Sequence, residues 1–435
     1  MWSRCLFVSL MVMLATSAFP VAAAVDDQKL DEAATAYRKL FNDSREAGNR
    51  PGMADMGDYV DEAFKGIPID QLTLDQVQKV VDSVPAANST RTAAALNALL
   101  KSKAAGVDAD AGRAAILRLR VQPPTAKSEE RLPRIKEALS HPGIKDAVAA
   151  GYGADVFATA TSLAPADLAQ ITDQLVALKD SIRPTAPATF FNAASGFIMR
   201  TVSAKDPATA KAYGALREAL ASALAEKLKG PVDEKDQKRL SDALARLNGA
   251  WARGELVGHP APTIQFDWFR DPANPERQIR SLDDLKGKVV VLDFWATWCG
   301  PCIASFPKVK AVHNYYRGYD VVVIGVTSPQ GYHVANGQRI DTKDNPQKEF
   351  ELMPSFMDEK TMTWPVAFSK QPVFNPDYGV TGIPSMVIID AKGIVRHAGL
   401  HPGSDLDSKI TLIDPLLAEA GLVLPARLMV PGKPE

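Results

Sequence analysis

The sequence predicts an all-α N-terminal half followed by an α/β domain, and three observations carry that expectation. From about Asp26 to Gly249, apolar residues recur at three- and four-residue spacing in an Ala- and Leu-rich chain with no alternating strand pattern. From Lys288 the pattern becomes β-branched and aromatic, Val289-Val-Val-Leu-Asp-Phe-Trp295, as in a buried strand. A Cys-Gly-Pro-Cys quartet, 299–302, then separates that run from the helix-forming Ile303–Val312. At 435 residues the chain is too long for one ordinary domain, and 46% hydrophobic with 23% charged residues is a globular composition. A formal net charge of −1 points to neither nucleic acid nor an anionic membrane as partner.

In chain order, residues 1–24 read as a secretory signal peptide: Arg4, an apolar core from Cys5 to Ala18, and Ala22-Ala23-Ala24 as cleavage site. This places the protein outside the cytoplasm, as a periplasmic protein, with a retained N-terminal anchor as the alternative. Removal takes Cys5 and leaves Cys299 and Cys302 as the mature chain's cysteines. Residues 25–250 read as an all-helical domain, a bundle or an irregular solenoid. Thr73-Leu-Asp-Gln76 opens a helix as a capping box. Leu168, Ile171, Leu175, Leu178 and Ile182 form a stripe between Pro165 and Pro184, expected as one helix. Leu216, Leu220, Leu224 and Leu228 form another, closed by Gly230-Pro231. No group in this region has ligand spacing, so a structural role or the docking of a partner of unknown identity is expected of it. The Ala/Leu periodicity stops between Asn248 and Gly258, which places the domain boundary there.

The placement of the cysteine pair determines its chemistry. A strand feeds the motif and a helix leaves it, so Cys299 sits at a helix N-terminus, where unpaired N–H groups and the helix dipole favour a thiolate. Cys302 lies one turn deeper on the same face, so Cys299 is expected to be exposed and Cys302 shielded, and Cys302 can attack a mixed disulfide formed at Cys299. A zinc site would need two more ligands, and His141, His259, His313, His333, His397 and His401 are scattered singly. No metal or cofactor is expected beyond the redox-active disulfide itself; a static structural disulfide is the other reading.

Asp293-Phe-Trp-Ala-Thr-Trp298-Cys299-Gly-Pro-Cys302, with Pro307, resembles the active-site segment of the thioredoxin superfamily. Tyr378-Gly-Val-Thr-Gly-Ile383-Pro384-Ser385 with the following Met386–Asp390 is similar to that fold's cis-proline loop and penultimate strand. Gly258–Pro262 and Ser281–Gly287 are similar to its extracytoplasmic TlpA/ResA-type branch. The resemblance covers about residues 255–425, with 426–435 left as a tail, and implies a thioredoxin-like domain with a mixed central sheet. Residues before 255 carry no resemblance.

The resemblance implies roles for particular residues. Asp293, in an apolar strand beneath the pair, would accept the Cys302 proton. The Ile383-Pro384 bond would be cis, its loop offering backbone groups to an extended substrate segment, flanked by Trp298. Trp295 would be core, and Pro307 would only kink the helix. Ser305 stands where many members of the branch carry an acidic residue, which leaves the proton work to Asp293. The polar stretch 328–345 exceeds what the branch needs; either Tyr332, His333 and Arg339 shape substrate choice, or the stretch is a disordered insertion. The expected activity is reduction of protein disulfides, with electrons from a membrane-embedded donor. A thiol oxidase or isomerase is the alternative within that chemistry, and a helical partner-binding protein with a redox switch the alternative outside it.

Overall fold

The computed structural model describes residues 25–122, 126–202 and 207–426. The expected leader and the tail from residue 427 lie outside them. Contacts divide the chain into two compact units, 1–127 and 128–435.

In the first unit, the helices Asp27–Glu46, Met53–Ala63, Leu74–Ser83, Arg91–Lys103 and Ala109–Leu117 bury one apolar cluster that includes Leu30, Val60, Leu72, Val80 and Leu96. The capping box forms: the Thr73 hydroxyl accepts from Gln76 N–H, and the Gln76 side chain accepts from Thr73 N–H. The helix Arg91–Lys103 is capped from outside itself. The Asp61 carboxylate accepts from the backbone N–H groups of Thr90, Arg91 and Thr92. Burial works to raise this carboxyl's pKa, and those donors outweigh it and hold it below its usual value.

The second unit starts with helices. The Leu216 stripe lies in the helix Gly214–Lys227, with Leu216, Leu220 and Leu224 buried, and Gly230 N–H closes back onto the Lys227 carbonyl. The Leu168–Ile182 stripe is not one helix. Its side chains from Ile171 onward are buried at every expected position, but the backbone breaks into Pro165–Ala169, Thr172–Val176 and a 3₁₀ stretch, Ala177–Ser181. Thr172 lies at the first break, its hydroxyl bonded to the Leu168 carbonyl and within 3.0 Å of the Tyr213 hydroxyl.

The rest of the unit is a mixed six-stranded sheet. Its strands are β1 (Phe266–Arg270), β2 (Val289–Phe294), β3 (Val321–Thr327), β6 (Val366–Ser369), β7 (Ser385–Ile389) and β8 (Val395–Leu400), in the order β1-β6-β3-β2-β7-β8. β2, β3 and β6 run parallel; β1, β7 and β8 run antiparallel to their neighbours. The helices Gly300–Tyr315 and Pro346–Glu359 are the crossovers that parallel pairing requires. With Leu406–Glu419 they cover one face, against Val289, Val291, Val323 and Ile388. Val290, Leu292, Phe294 and Ile324 face the opposite core. That alternation puts Asp293 and Trp295 on the face of the three helices. β4 (Tyr332–Ala335) and β5 (Gln338–Asp341) form a separate hairpin in the polar stretch, so this stretch is ordered rather than a disordered insertion.

The boundary expected between 250 and 255 falls inside a compact unit. The opposite core takes in Ala250 and Leu256, and Trp251 packs against it. Ala250 N–H donates to the Asp377 carboxylate at 3.2 Å. A Cβ on Gly249 would lie 2.3 Å from the Pro376 carbonyl oxygen, and one on Gly379 2.5 Å from the Trp251 ring. Helices and sheet meet there at distances only glycine permits.

Candidate active site

The end of β2 delivers the chain to the motif. Asp293 pairs with Gly325 on β3 and Met386 on β7, so it is fixed by neighbours on both sides. Trp295 is fully buried, its ring stacked on Phe356 and edge-on to Phe306. A Cβ on Gly325 would come within 2.7 Å of the Trp295 indole nitrogen, which explains a glycine in the middle of a sheet. Trp295 is core, as its setting in the sequence implies.

Cys299 is the N-cap of the helix Gly300–Tyr315, and its sulfur accepts from Cys302 N–H at 3.2 Å. The two cysteines are joined in a disulfide, with Cα atoms 5.2 Å apart. Exposure does not separate them: Cys299 is 3% exposed and Cys302 2%. The expectation of an open Cys299 beside a shielded Cys302 is therefore corrected. Cys299 shares a buried cluster with Trp295, Ala296 and Phe306, and Ile383 packs on that cluster. What distinguishes the two sulfurs is position relative to the helix end.

Asp293 is 2% exposed, and its Oδ1 has no hydrogen-bond partner among the described residues. Burial raises its pKa to about 7, and the charge of Lys409 opposes the rise. Lys409, on the helix Leu406–Glu419, is 1% exposed; its ammonium donates to the Pro402 and Ser404 carbonyls and the Ser404 hydroxyl at 2.7–2.8 Å. Burial lowers its own pKa, opposed by Asp405 and Asp293. Ser305 is buried, and its hydroxyl donates to the Pro301 carbonyl.

The rim is built from three segments. Ile383-Pro384 is cis and half-buried. Trp298 is 36% exposed, donates from its indole N–H to Gln330 at 3.1 Å, and stacks on the exposed Phe374 at 6.4 Å. The hairpin is tied to the motif by Val334 N–H donating to the Thr297 hydroxyl. It is held at its base by the buried Glu349 carboxylate, which accepts from Gln330 N–H, Gly331 N–H and the Thr342 hydroxyl. Of the three hairpin residues offered for substrate choice, His333 is 1% exposed and edge-on to Phe356, and burial lowers its pKa. Arg339 lies over the Tyr332 ring.

Cys299, Cys302, Asp293, Trp298, Ile383 and Pro384 thus lie around one end of the sheet. Sequence reasoning missed Lys409, Gln330, Phe374 and Glu349. Lys409 had a signal: it falls on the apolar stripe of Ile410, Ile413 and Leu417, all buried, with the half-buried Leu406, at a position where an apolar residue is expected.

A strand-to-helix turn carrying Cys-x-x-Cys, with a cis-proline loop beside it on a mixed sheet, defines a thioredoxin-fold thiol–disulfide oxidoreductase. Residues 256–411 match the Redoxin family. The chain is 30% identical over 135 residues to the thioredoxin-like protein YneN of Bacillus subtilis, covering 30% of this chain and 69% of that protein. It is 27% identical over 140 residues to the thiol-disulfide oxidoreductase ResA of Oceanobacillus iheyensis, covering 32% and 62%. It is also 27% identical over 147 residues to the thiol:disulfide interchange protein DsbE of Allochromatium vinosum, covering 34% and 68%. This chain belongs to the thioredoxin superfamily, in its TlpA/ResA-type branch. The matched stretch spans less than two thirds of ResA's own length and about a third of this chain. Among the described residues, no helix is long and apolar enough to cross a membrane, and no group of three or more His, Cys, Asp or Glu could hold a metal.

Proposed function

We propose that the protein works outside the cytoplasm, in the periplasm, as a reductase of protein disulfides re-reduced by a membrane-embedded donor. The observation that carries this reading is the redox-active pair at a helix N-terminus with a buried, proton-accepting carboxyl on the strand beneath. In the reduced protein the Cys299 thiolate attacks a substrate disulfide; one substrate sulfur leaves as thiolate, and the other stays bound to Cys299. The Cys302 thiol gives its proton to Asp293, and its sulfur attacks Cys299. The Cys299–Cys302 disulfide forms, the second substrate thiolate leaves, and two electrons have passed to the substrate. Trp298 and the backbone beside Pro384 hold the substrate segment. Ser305 is bound to the helix backbone, so Asp293 and Lys409 are the titratable groups left to govern the second step.

The reductive direction is supported by the motif's interior. Gly300-Pro301 puts no charged side chain against the thiolate, so the reduced form lacks the extra stabilisation that makes strong oxidants. Titration against a glutathione couple is expected to give a potential near −270 mV, roughly thioredoxin's value. A value above about −180 mV, the range of disulfide isomerase, would refute the reductase direction and promote the oxidase or isomerase alternative. Cys302→Ser is expected to stall as a mixed disulfide and so identify the substrate by mass mapping.

A further inference from the structure

Beside the site, the helices Ala188–Thr201 and Glu234–Asn248 and the loop 372–381 enclose a cleft of about 540 Å³. We propose that this cleft holds an extended acidic segment of the polypeptide whose disulfide is exchanged at Cys299, a proposal that rests on the reductase reading above.

The cleft's position makes it an extension of the rim. Phe374, which lines it, stacks on Trp298, the residue before Cys299; Thr381, which also lines it, lies two residues before Ile383. A segment leaving the cysteine pair across Trp298 passes over Phe374 into the cleft.

Charge sets the occupant. Lys238 on the cleft wall is already paired with Asp242 at 3.1 Å. Arg200 and Arg246, one from each helix, both line the cleft, Arg200 also bordering the cavity beside Tyr213, and neither has a carboxylate partner among the described residues. Two guanidinium groups flanking an otherwise partly apolar cleft favour carboxylates, which they bind through charge-assisted and bidentate hydrogen bonds.

Gly196 supplies an independent sign that the space is kept open. It sits in the middle of the helix Ala188–Thr201, where glycine destabilises relative to alanine. Neither of the usual reasons for a glycine applies, since its φ is not positive and a Cβ there would meet nothing within 4 Å. That unfilled space opens onto the cleft.

The test is titration calorimetry of the full chain with two cysteine-free peptides, alternating Asp and Ser in one and Lys and Ser in the other. The acidic peptide is expected to bind, weakening as salt rises, and the basic one not to bind. Arg200→Glu with Arg246→Glu should weaken the acidic peptide by about tenfold or more. Gly196→Trp, which fills the cleft without changing charge, should abolish binding, and Gly196→Ala should retain it; melting curves verify that each variant folds. Equal binding of both peptides, no binding of the acidic one, or affinity indifferent to both the charge reversal and the filling residue overturns the proposal. Because these peptides carry no cysteine, a protein that fails to turn over a neutral disulfide defeats the reductase reading without confusing this measurement.

Discussion

A carboxyl with one unpartnered oxygen beneath a disulfide gives Asp293 two measurable consequences. Its folded pKa of about 7 stands above the usual 3.8, so the fold binds a proton that the unfolded chain has already released. Stability attributable to this group is therefore full below about pH 4, falls as pH rises, and levels off above about pH 7. Asp293→Asn should remove that slope, raising the unfolding free energy at pH 8 by up to about 4 kcal/mol and leaving it unchanged at pH 4. The same variant should slow thiol–disulfide exchange; unchanged reduction kinetics from pH 6 to 9 would return Asp293 to a purely structural role. Lys409 acts through Asp293. Its charge favours the ionised carboxylate, so Lys409→Met should move the acid limb of the pH–rate profile to higher pH, and a profile that keeps its midpoint would separate the two residues. The carboxyl was legible because a charged residue interrupts a run of valines. The lysine's break in its helix stripe was legible too, but its link to Asp293 was not, because their distance in the chain hides a proximity made only by packing the last helix on the sheet.

The elements were legible where one periodicity dominates. β2 and β3 follow from β-branched runs, and the Leu216 helix from its spacing and its Gly-Pro stop. The Leu168 stripe shows the limit: burial followed the pattern, but local hydrogen bonding at Thr172 broke the backbone. The β4–β5 hairpin went unread, although its sequence carries the signal. Asn336-Gly337 is the two-residue turn that suits a tight hairpin, and both residues have positive φ, 49° and 73°. The flanking strands are short and polar, so no hydrophobic alternation drew attention to them. What holds the hairpin's base is Glu349, from a helix that follows it in the chain. Glu349→Ala would leave three donors without this partner, the buried Thr342 hydroxyl and the half-buried Gln330 and Gly331 N–H groups, at a cost on the order of 2 kcal/mol. Amide exchange across residues 330–342 should then accelerate; protection equal to wild type would show that the Thr297 and Trp298 contacts hold the hairpin alone.

At the scale of the molecule, composition placed a division where the helices end, and packing placed it at Lys127. Ala/Leu-rich helices look alike whether they form a free-standing core or cover a sheet, and only the partner surface distinguishes them. The seam of Gly249, Ala250 and Trp251 makes the second helical segment part of the redox unit. A chain beginning at Ser128 should unfold cooperatively in urea. One beginning at Glu255 loses the Ala250 and Trp251 contacts and should be less stable by at least about 3 kcal/mol, the scale of deleting a large packed side chain. Equal stability of the two would restore the boundary near 250.

Both cysteines are covered to within a few per cent, although they sit at the end of a central strand beside exposed aromatic rings. Their exchange rate is therefore the product of an opening equilibrium and an intrinsic reactivity. A partner that docks on the rim and displaces Ile383 or Trp298 brings that opening with it, whereas a small thiol must wait for it to occur spontaneously. Selectivity among disulfides can then arise from who opens the gate rather than from who binds most tightly, and a dithiol covered in this way is guarded against discharge to small oxidants.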